Sequence, residues 1–207
     1  MNTALFYDTE TTGLPLFSEP SEDPRQPHIV QLAAVLVDLD TREIVSSMDV
    51  IVRPDGWEIP QEVAAIHGIT TETALEFGIA EGQAVALFTS LWNERTRIGH
   101  NEAFDARVIR IAQMRTRCYG ISELAAWKGG SAECTAKLST PIVKCPPTAK
   151  MKAAGRFHYK TPTLAEAHQH FLGCPLENAH SAMADVLGCM RVYFAIQDQK
   201  VPEAATA

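Results

Sequence analysis

The order of apolar and polar residues predicts strands first and helices later. Ala4 to Tyr7 is a short apolar run leading into Asp8, as expected for a buried strand that ends at a polar edge. His28 to Asp38 and Arg42 to Val52 are rich in apolar and β-branched residues and flank a short turn. They are predicted to form an antiparallel hairpin beside the first strand. Residues 15–27 are rich in Pro, Ser and acidic residues and are predicted to form a loop.

Helical signals dominate after residue 60. Gly68 follows Pro60 to His67 in the manner of a helix C-cap, and Thr163 to Glu166 has the form of a capping box. The other predicted elements are helices at 81–93, 103–115 and 182–197 and a strand at 96–99. Three strands followed by strands interleaved with helices indicate an α/β fold with a mixed sheet and helices on its faces.

The length and the absence of repeats indicate one domain. The 207 residues suit a single core, predicted at 1–197 and followed by a disordered tail at 198–207. No apolar run approaches the roughly 20 residues that span a bilayer, so no membrane association is expected. Met1 to Ala4 lacks the basic start of a secretory signal, which favours a cytoplasmic location. The five cysteines are widely spaced without a C-x-x-C pair, which favours unpaired thiols over a zinc site.

Charge is distributed unevenly along the chain. A formal charge of −7 is not typical of proteins that coat nucleic acid, but it is compatible with an enzyme that gathers carboxylates around metal ions. Between Glu133 and Glu166 there is no acidic residue, and aromatic residues at 157–159 could stack on bases. The segment from Lys137 to Lys160 is therefore either a nucleic-acid arm or a solvated basic loop. The candidate arm residues are Lys150, Lys152, Arg156 and Lys160.

Three short segments carry candidate chemistry, and the first is residues 8–13, Asp-Thr-Glu-Thr-Thr-Gly. Residues i and i+2 of a strand point to the same face, roughly 6.6 Å apart, so Asp8 and Glu10 would project side by side. Paired carboxylate oxygens suit Mg²⁺ or Mn²⁺. The alternative is a pair of solvated acids on an edge strand. The following turn offers hydroxyl and backbone N–H groups that could hold a terminal nucleotide.

The second segment is residues 100–105, His-Asn-Glu-Ala-Phe-Asp. Asp105 lies in the first turn of a predicted helix, where a carboxylate either serves a site or complements the helix dipole. The third segment is residues 180–185, His-Ser-Ala-Met-Ala-Asp. Five residues of helix rotate by about 500°, which leaves side chains about 140° apart. His180 and Asp185 can therefore share a site only if His180 precedes the helix and Asp185 lies on it; otherwise both are surface residues.

In this order, the three segments resemble the three exonuclease motifs of the DEDD superfamily in its histidine subclass. That subclass includes the epsilon proofreading subunit of bacterial DNA polymerase III, TREX-type exonucleases, RNase T and oligoribonuclease. Ser181 after His180 is a slight departure from the third motif, whose alanine falls at Ala182. Ile66 to Thr70 also resembles the stretch that precedes the second motif in many members. The resemblance covers about residues 4 to 197.

The resemblance implies a ribonuclease-H-like fold with a five-stranded mixed sheet flanked by helices. Asp8, Glu10, Asp105 and Asp185 match the ligands of two divalent cations, Mg²⁺ with Mn²⁺ as a substitute, and His180 matches the general base. Leu14 matches the residue that wedges against the terminal base. The full set of expected substrate-binding residues is Thr11, Thr12, Gly13, Leu14, His67, Asn101 and Phe104.

The resemblance further implies hydrolysis of DNA from its 3′ end, with release of 5′-mononucleotides. The expected substrate is the 3′ end of single-stranded DNA, and the expected role is proofreading or repair. A polymerase or a replication or repair complex is a possible partner. An exoribonuclease acting on small or structured RNA is the first alternative, because the motifs do not distinguish the sugar. A non-catalytic nucleic-acid-binding or polymerase-docking module is the second. The oligomeric state stays open.

Overall fold

A mixed sheet forms the centre of the protein, whose computed structural model describes residues 1–117 and 120–200. The strands within these residues are β1 (Thr3–Thr11), β2 (Ile29–Asp38), β3 (Ile44–Ile51), β4 (Thr96–Gly99) and β5 (Ala132–Cys134). Their order is β3-β2-β1-β4-β5. β1, β2 and β3 pair antiparallel, whereas β4 is parallel to both β1 and β5. The expected five-stranded mixed sheet is confirmed.

Helices cover both faces of this sheet. In the same part of the chain they are α1 (Gln61–His67), α2 (Thr71–Phe77), α3 (Glu81–Trp92), α4 (Glu102–Thr116), α5 (Ile121–Gly129), α6 (Thr135–Val143), α7 (Ala149–Ala153), α8 (Leu164–Leu172) and α9 (Ala182–Lys200). α3 and α4 pack on one face and α9 on the other. No helix among the described residues has both the length and the apolar character needed to cross a membrane.

The two-residue period of β1 assigns its side chains to these two layers. Leu5 and Tyr7 lie in the apolar cluster with α3 and α4, whereas Ala4 and Phe6 lie in the cluster with α9. Successive strand side chains point to opposite faces, so Asp8 continues the row beneath α9. Thr9 continues the row on the α4 side by the same alternation.

β4 ends early and leaves part of β1 without a neighbour on that side. The two strands pair only from Ala4 opposite Thr96 to Phe6 opposite Ile98. Asn101 then takes a left-handed conformation, with φ of 74°, and the chain turns into α4. After β1 the chain continues into β2, which lies on one side of β1. After β4, on the other side of β1, the chain runs through α4 and α5 to β5. Ligand sites of open α/β sheets lie at the carboxyl ends of strands where the connections diverge in this way.

Several elements differ from the sequence-based prediction. Residues 198–200 belong to α9 and not to the predicted disordered tail at 198–207, since α9 runs to Lys200. Asp198 also forms an ion pair with Arg42. Residues 201–207 lie outside the described part. α2, α5, α6, α7 and β5 were not predicted. β5 has only three residues, and Pro141 lies inside α6, where proline normally argues against a helix.

Four cysteines are free: Cys134, Cys145, Cys174 and Cys189. Cys118, which the sequence also predicts to be unpaired, lies outside the described residues.

Candidate active site

The two carboxylates of β1 lie half-buried on the face beneath α9. Burial raises the pKa of Asp8 well above its usual value, and the charges of Asp105 and Asp185 raise it further. Burial, followed by the charges of Asp8 and Asp185, raises the pKa of Glu10 to about 8. Carboxylates from three separate elements are therefore close enough to repel one another.

Gln31 explains why α9 begins beside Glu10. Gln31 of β2 is the cross-strand partner of Glu10, and its Oε1 accepts a hydrogen bond from the N–H of Ala182 at 3.1 Å. This bond satisfies one of the backbone N–H groups that a helix leaves unpaired at its N-terminus. The first turn of α9, which carries Asp185, is thereby fixed against the end of β1.

His180 and Asp185 have the arrangement that their spacing requires. His180 lies in the loop immediately before α9 in a left-handed conformation, with φ of 69°. Its backbone N–H donates to Asp185 Oδ2 at 3.1 Å. Potential ligand atoms of Glu10, His180 and Asp185 all lie within 4.8 Å of one another. The prediction that His180 precedes the helix while Asp185 lies on it is confirmed.

Asp105 takes the place that a longer β4 would occupy. Its Oδ1 accepts hydrogen bonds from the backbone N–H of Thr9 at 3.1 Å and from the Thr9 hydroxyl at 2.7 Å. Burial raises the pKa of Asp105 to about 8, although the Thr9 hydrogen bonds act in the opposite direction. Asp105 is thus bound to the open edge of β1, which is a more specific role than complementing the dipole of α4. Sequence reasoning missed Thr9, the residue between the two β1 carboxylates.

A buried network supports β1 and the start of α4. The Tyr7 hydroxyl donates to Glu102 Oε1 at 2.9 Å, and Arg97 Nε lies 3.3 Å from the same oxygen. Arg97 also donates to the Trp127 carbonyl oxygen at 2.6 Å, with its guanidinium carbon 3.9 Å from the centre of the Trp127 ring. The network holds the two segments that carry Asp8 and Asp105. These residues come from β1, β4, α4 and α5, and no local sequence pattern connects them.

The donor set fits divalent cations with oxygen ligands. In residues 1–117 and 120–200, no lysine or arginine forms an ion pair with Asp8, Glu10, Asp105 or Asp185. Clustered carboxylates without a cationic partner are the arrangement that a bound Mg²⁺ or Mn²⁺ would stabilise. The tightest group consists of Glu10, His180 and Asp185, so His180 is itself within reach of an ion held there.

The turn after β1 is stabilised by its own threonines. The Thr11 hydroxyl donates to the Gly13 carbonyl at 2.7 Å, and the Thr12 hydroxyl accepts from the His28 N–H at 2.9 Å. The two hydroxyls thus shape the turn, and nucleotide binding by Thr11, Thr12 and Gly13 stays a prediction. Leu14 follows the turn and is 78% exposed, as a side chain that meets a base must be.

The other predicted substrate residues make no described contact with the carboxylates. Phe104 is partly buried and packs against the core beside α3 and α4, which favours a structural role. His67 Nδ1 accepts from the Ile69 N–H at 3.1 Å, and burial lowers the pKa of His67. Asn101 is exposed, and its side chain does not cap α4. Substrate binding by these three residues stays a prediction.

The basic segment is partly engaged within the protein. Lys160 Nζ forms an ion pair with Glu166 at 2.6 Å, and the Lys160 N–H donates to the Cys145 carbonyl at 2.9 Å. Lys160 therefore closes the base of a loop. Lys150, Lys152 and Arg156 are exposed on that loop.

The fold and the acidic strand end define a class of protein, namely nucleases with a ribonuclease-H-like fold. The chain belongs to the exonuclease family, because the model described as "RNase_T: Exonuclease" matches residues 5–193. A search of curated proteins gave no match.

Solved structures of exonuclease I have the same fold. The zinc-bound complex of E. coli exonuclease I with single-stranded DNA has a TM-score of 0.73 at 21% identity, covering 97% of this chain and 41% of that chain. The E. coli exonuclease I complex with a dA16 oligonucleotide has a TM-score of 0.69 at 22% identity, covering 96% and 41%. A product-bound exonuclease I has a TM-score of 0.71 at 20% identity, covering 96% and 44%. The present chain thus spans about two fifths of these exonuclease I chains.

The raised pKa values predict an unusual dependence of stability on pH. Below pH 4.5 the Glu10 carboxyl is protonated in both states, and up to about pH 8 the folded state retains a proton that the unfolded chain releases. In chelator, the free energy of unfolding should therefore fall as the pH rises through this interval. Asp8→Asn should reduce the fall, whereas the same change at the exposed Asp55 should not. Denaturant unfolding at a series of pH values measures this, and equal slopes for wild type and Asp8→Asn would contradict it.

Proposed function

We propose that the protein is a metal-dependent 3′→5′ exonuclease that hydrolyses DNA from its 3′ end and releases 5′-mononucleotides. The observation that carries the proposal is the convergence of Asp8, Glu10, Asp105 and Asp185 beside His180 at one end of β1. All five positions of the three motifs are occupied, which favours catalysis over a non-catalytic binding module.

The four carboxylates would hold two Mg²⁺ ions, with Mn²⁺ as a substitute. Bound divalent cations supply positive charge that stabilises the attacking and leaving oxygens of a phosphodiester and allows an acidic site to accept a polyanion. Asp8 interacts electrostatically with both Asp105 and Asp185, which supports a central position for it among the ligands. Thr9 and Gln31 orient this set, because they fix Asp105 and the start of α9 respectively.

His180 is the proposed general base. Its side chain is exposed and has a ligand atom within 4.8 Å of Glu10 and Asp185, a position that an attacking water can reach from solvent. An imidazole nitrogen accepts the water proton while Asp185 holds the backbone of His180. Leu14, beside the turn, is proposed to pack against the terminal base.

DNA is the proposed substrate, and RNA is the alternative. Support for DNA comes from the exonuclease I structures of the same fold, which include complexes with single-stranded DNA. The free cysteines support a reducing, cytoplasmic setting. A role in proofreading or repair belongs to the same proposal.

The substrate test is digestion of 5′-labelled DNA and RNA of the same sequence, with Mg²⁺ or with EDTA. We expect a ladder that shortens from the 3′ end, faster digestion of DNA than of RNA, and no digestion in EDTA or by Asp8→Asn. A 3′-phosphate should slow digestion strongly. Labelled mononucleotide as the first product, or full activity in EDTA, would contradict the proposal.

The roles of His180 and Asp185 can be separated by substitution. His180→Ala should lower kcat by about 10²–10⁴ because a proton acceptor is lost, while affinity for Mn²⁺ persists. Asp185→Ala should lower both. His170→Ala is the matched control, because His170 is exposed on α8 outside the site. Calorimetry that finds equal losses of Mn²⁺ affinity in the two site variants would make His180 a ligand instead.

A basic loop is proposed to bind the strand beyond the reacting nucleotides. Residues 146–159 form a loop that includes the short helix α7, and its base is closed by the hydrogen bond from the Lys160 N–H to the Cys145 carbonyl oxygen. The loop bears no acidic residue, and Phe157 is 74% exposed on it. Exposed cations beside exposed aromatic rings suit a single strand, whose phosphates need neutralising and whose bases stack.

Salt dependence tests this loop. Changing Lys150, Lys152 and Arg156 to Ser should flatten the dependence of binding on salt by about 0.7 log units per lost single-strand contact and raise KM for long oligonucleotides. Hydrolysis of a dinucleotide should hardly change. The control changes Arg53, Lys128 and Arg191, which are also exposed, to Ser for the same change in net charge. An unchanged slope would leave the segment as a solvated loop.

A further inference from the structure

The loop that carries His180 contains three residues in the left-handed backbone region. It connects α8 to α9, and positive φ angles occur at Gly173, Asn178 and His180, at 71°, 52° and 69°. Residues with a Cβ rarely adopt this left-handed region. Gly, Asn and His tolerate this region better than other residues, so the loop can adopt this geometry and contacts from its surroundings fix it.

The first contact comes from His168 of α8. This side chain is 2% exposed, and its Nδ1 lies 2.9 Å from the carbonyl oxygen of Cys174, the second residue of the loop. A carbonyl oxygen only accepts, so Nδ1 carries the hydrogen and donates. Nε2 is buried without a hydrogen-bond partner in the part of the chain that the structure describes. The ring therefore makes one polar contact there, and that contact is to the loop.

The second contact is steric and involves α9. A Cβ added to Gly188 would lie 2.6 Å from Leu176 Cδ1, so the end of the flexible Leu176 side chain would have to move aside. Gly188 follows Asp185 by three residues on the same helix. Glycine at this position therefore lets Leu176, in the middle of the loop, rest directly on the helix that carries a metal-binding carboxylate.

We propose that His168, Leu176 and Gly188 are positioning residues for the loop. Their contacts hold it in the conformation that brings His180 to Glu10 and Asp185. The inference rests on the proposed function, in which His180 moves the proton. Five residues separate Cys174 from His180, so release of either contact lets this short segment move. The His180 ring would then leave the group that it forms with Glu10 and Asp185, while the carboxylates on β1, α4 and α9 stay in place.

Two substitutions at position 168 separate the hydrogen bond from simple packing. His168→Asn keeps an N–H donor close to the place of Nδ1, whereas His168→Leu fills similar space without a donor. We expect His168→Leu to lower kcat by about ten- to a hundredfold, the scale of loss that follows a misplaced catalytic group. KM and Mn²⁺ affinity should change little. His168→Asn should retain most of the activity, and equal losses in the two variants would overturn the role of the hydrogen bond.

A double-mutant cycle with His180 distinguishes this inference from the proposed function. If His168 acts through His180, His168→Leu should have no further effect on kcat in a His180→Ala background. If His180→Ala alone leaves kcat unchanged, the proposed function itself fails. If His180→Ala is slow and His168→Leu lowers its kcat by the same factor as in wild type, only the positioning role fails.

The steric contact supplies an independent variant. Gly188→Ala should lower kcat only modestly, because the end of the Leu176 side chain can move aside, and adding Leu176→Ala should recover part of the loss by making room for the new methyl group. Denaturant unfolding of each variant reports whether the fold is retained. Gly188→Ala with full activity, or a folded double variant without recovery, would overturn this part of the proposal.

Discussion

β4 pairs with β1 over only three residues, and the unpaired edge beyond Phe6 determines how the site is built. A backbone N–H at such an edge needs an acceptor, and Asp105 supplies it to Thr9. This hydrogen bond brings a carboxylate from α4 to a strand that already carries Asp8 and Glu10. On the opposite side of β1, Gln31 of β2 accepts from the first N–H of α9 and brings Asp185 to the same strand end. Two ordinary backbone requirements, a sheet edge and a helix start, thus assemble four carboxylates.

Bringing these carboxylates together destabilises the folded protein electrostatically, and contacts elsewhere in the structure must offset this. Carboxylates that are at least half-buried and lie near one another keep their protons to higher pH than usual, as the raised pKa values of Asp8, Glu10 and Asp105 indicate. No described lysine or arginine offsets that charge at the site. Rigidity comes instead from the layer beneath, where Arg97, Glu102 and Tyr7 form a buried network. This separation of a stabilised support from an uncompensated acidic surface is what a binding site for divalent cations requires.

The sequence was informative where chemistry and local geometry coincide. The period of two in β1 predicted that Asp8 and Glu10 share a face, and helical geometry required His180 to precede the helix of Asp185. The residues that bring these segments together were not predictable in this way. Thr9 and Asp105 are 96 positions apart, and Gln31 and Ala182 are 151 positions apart, so their pairing follows from the order of the strands. β5 was missed because it has only three residues, and α6 because Pro141 lies inside it.

The proposed chemistry requires cations that bind between the carboxylates at the end of β1. Anomalous diffraction from crystals grown with Mn²⁺ and a 5′-mononucleotide locates such ions directly. We expect an anomalous peak for a Mn²⁺ ion that is coordinated by Asp8 together with Glu10 and Asp185. The peak should be absent in crystals of Asp8→Asn. Well-ordered crystals in which Mn²⁺ is absent from this cluster, or bound there equally in Asp8→Asn, would contradict it.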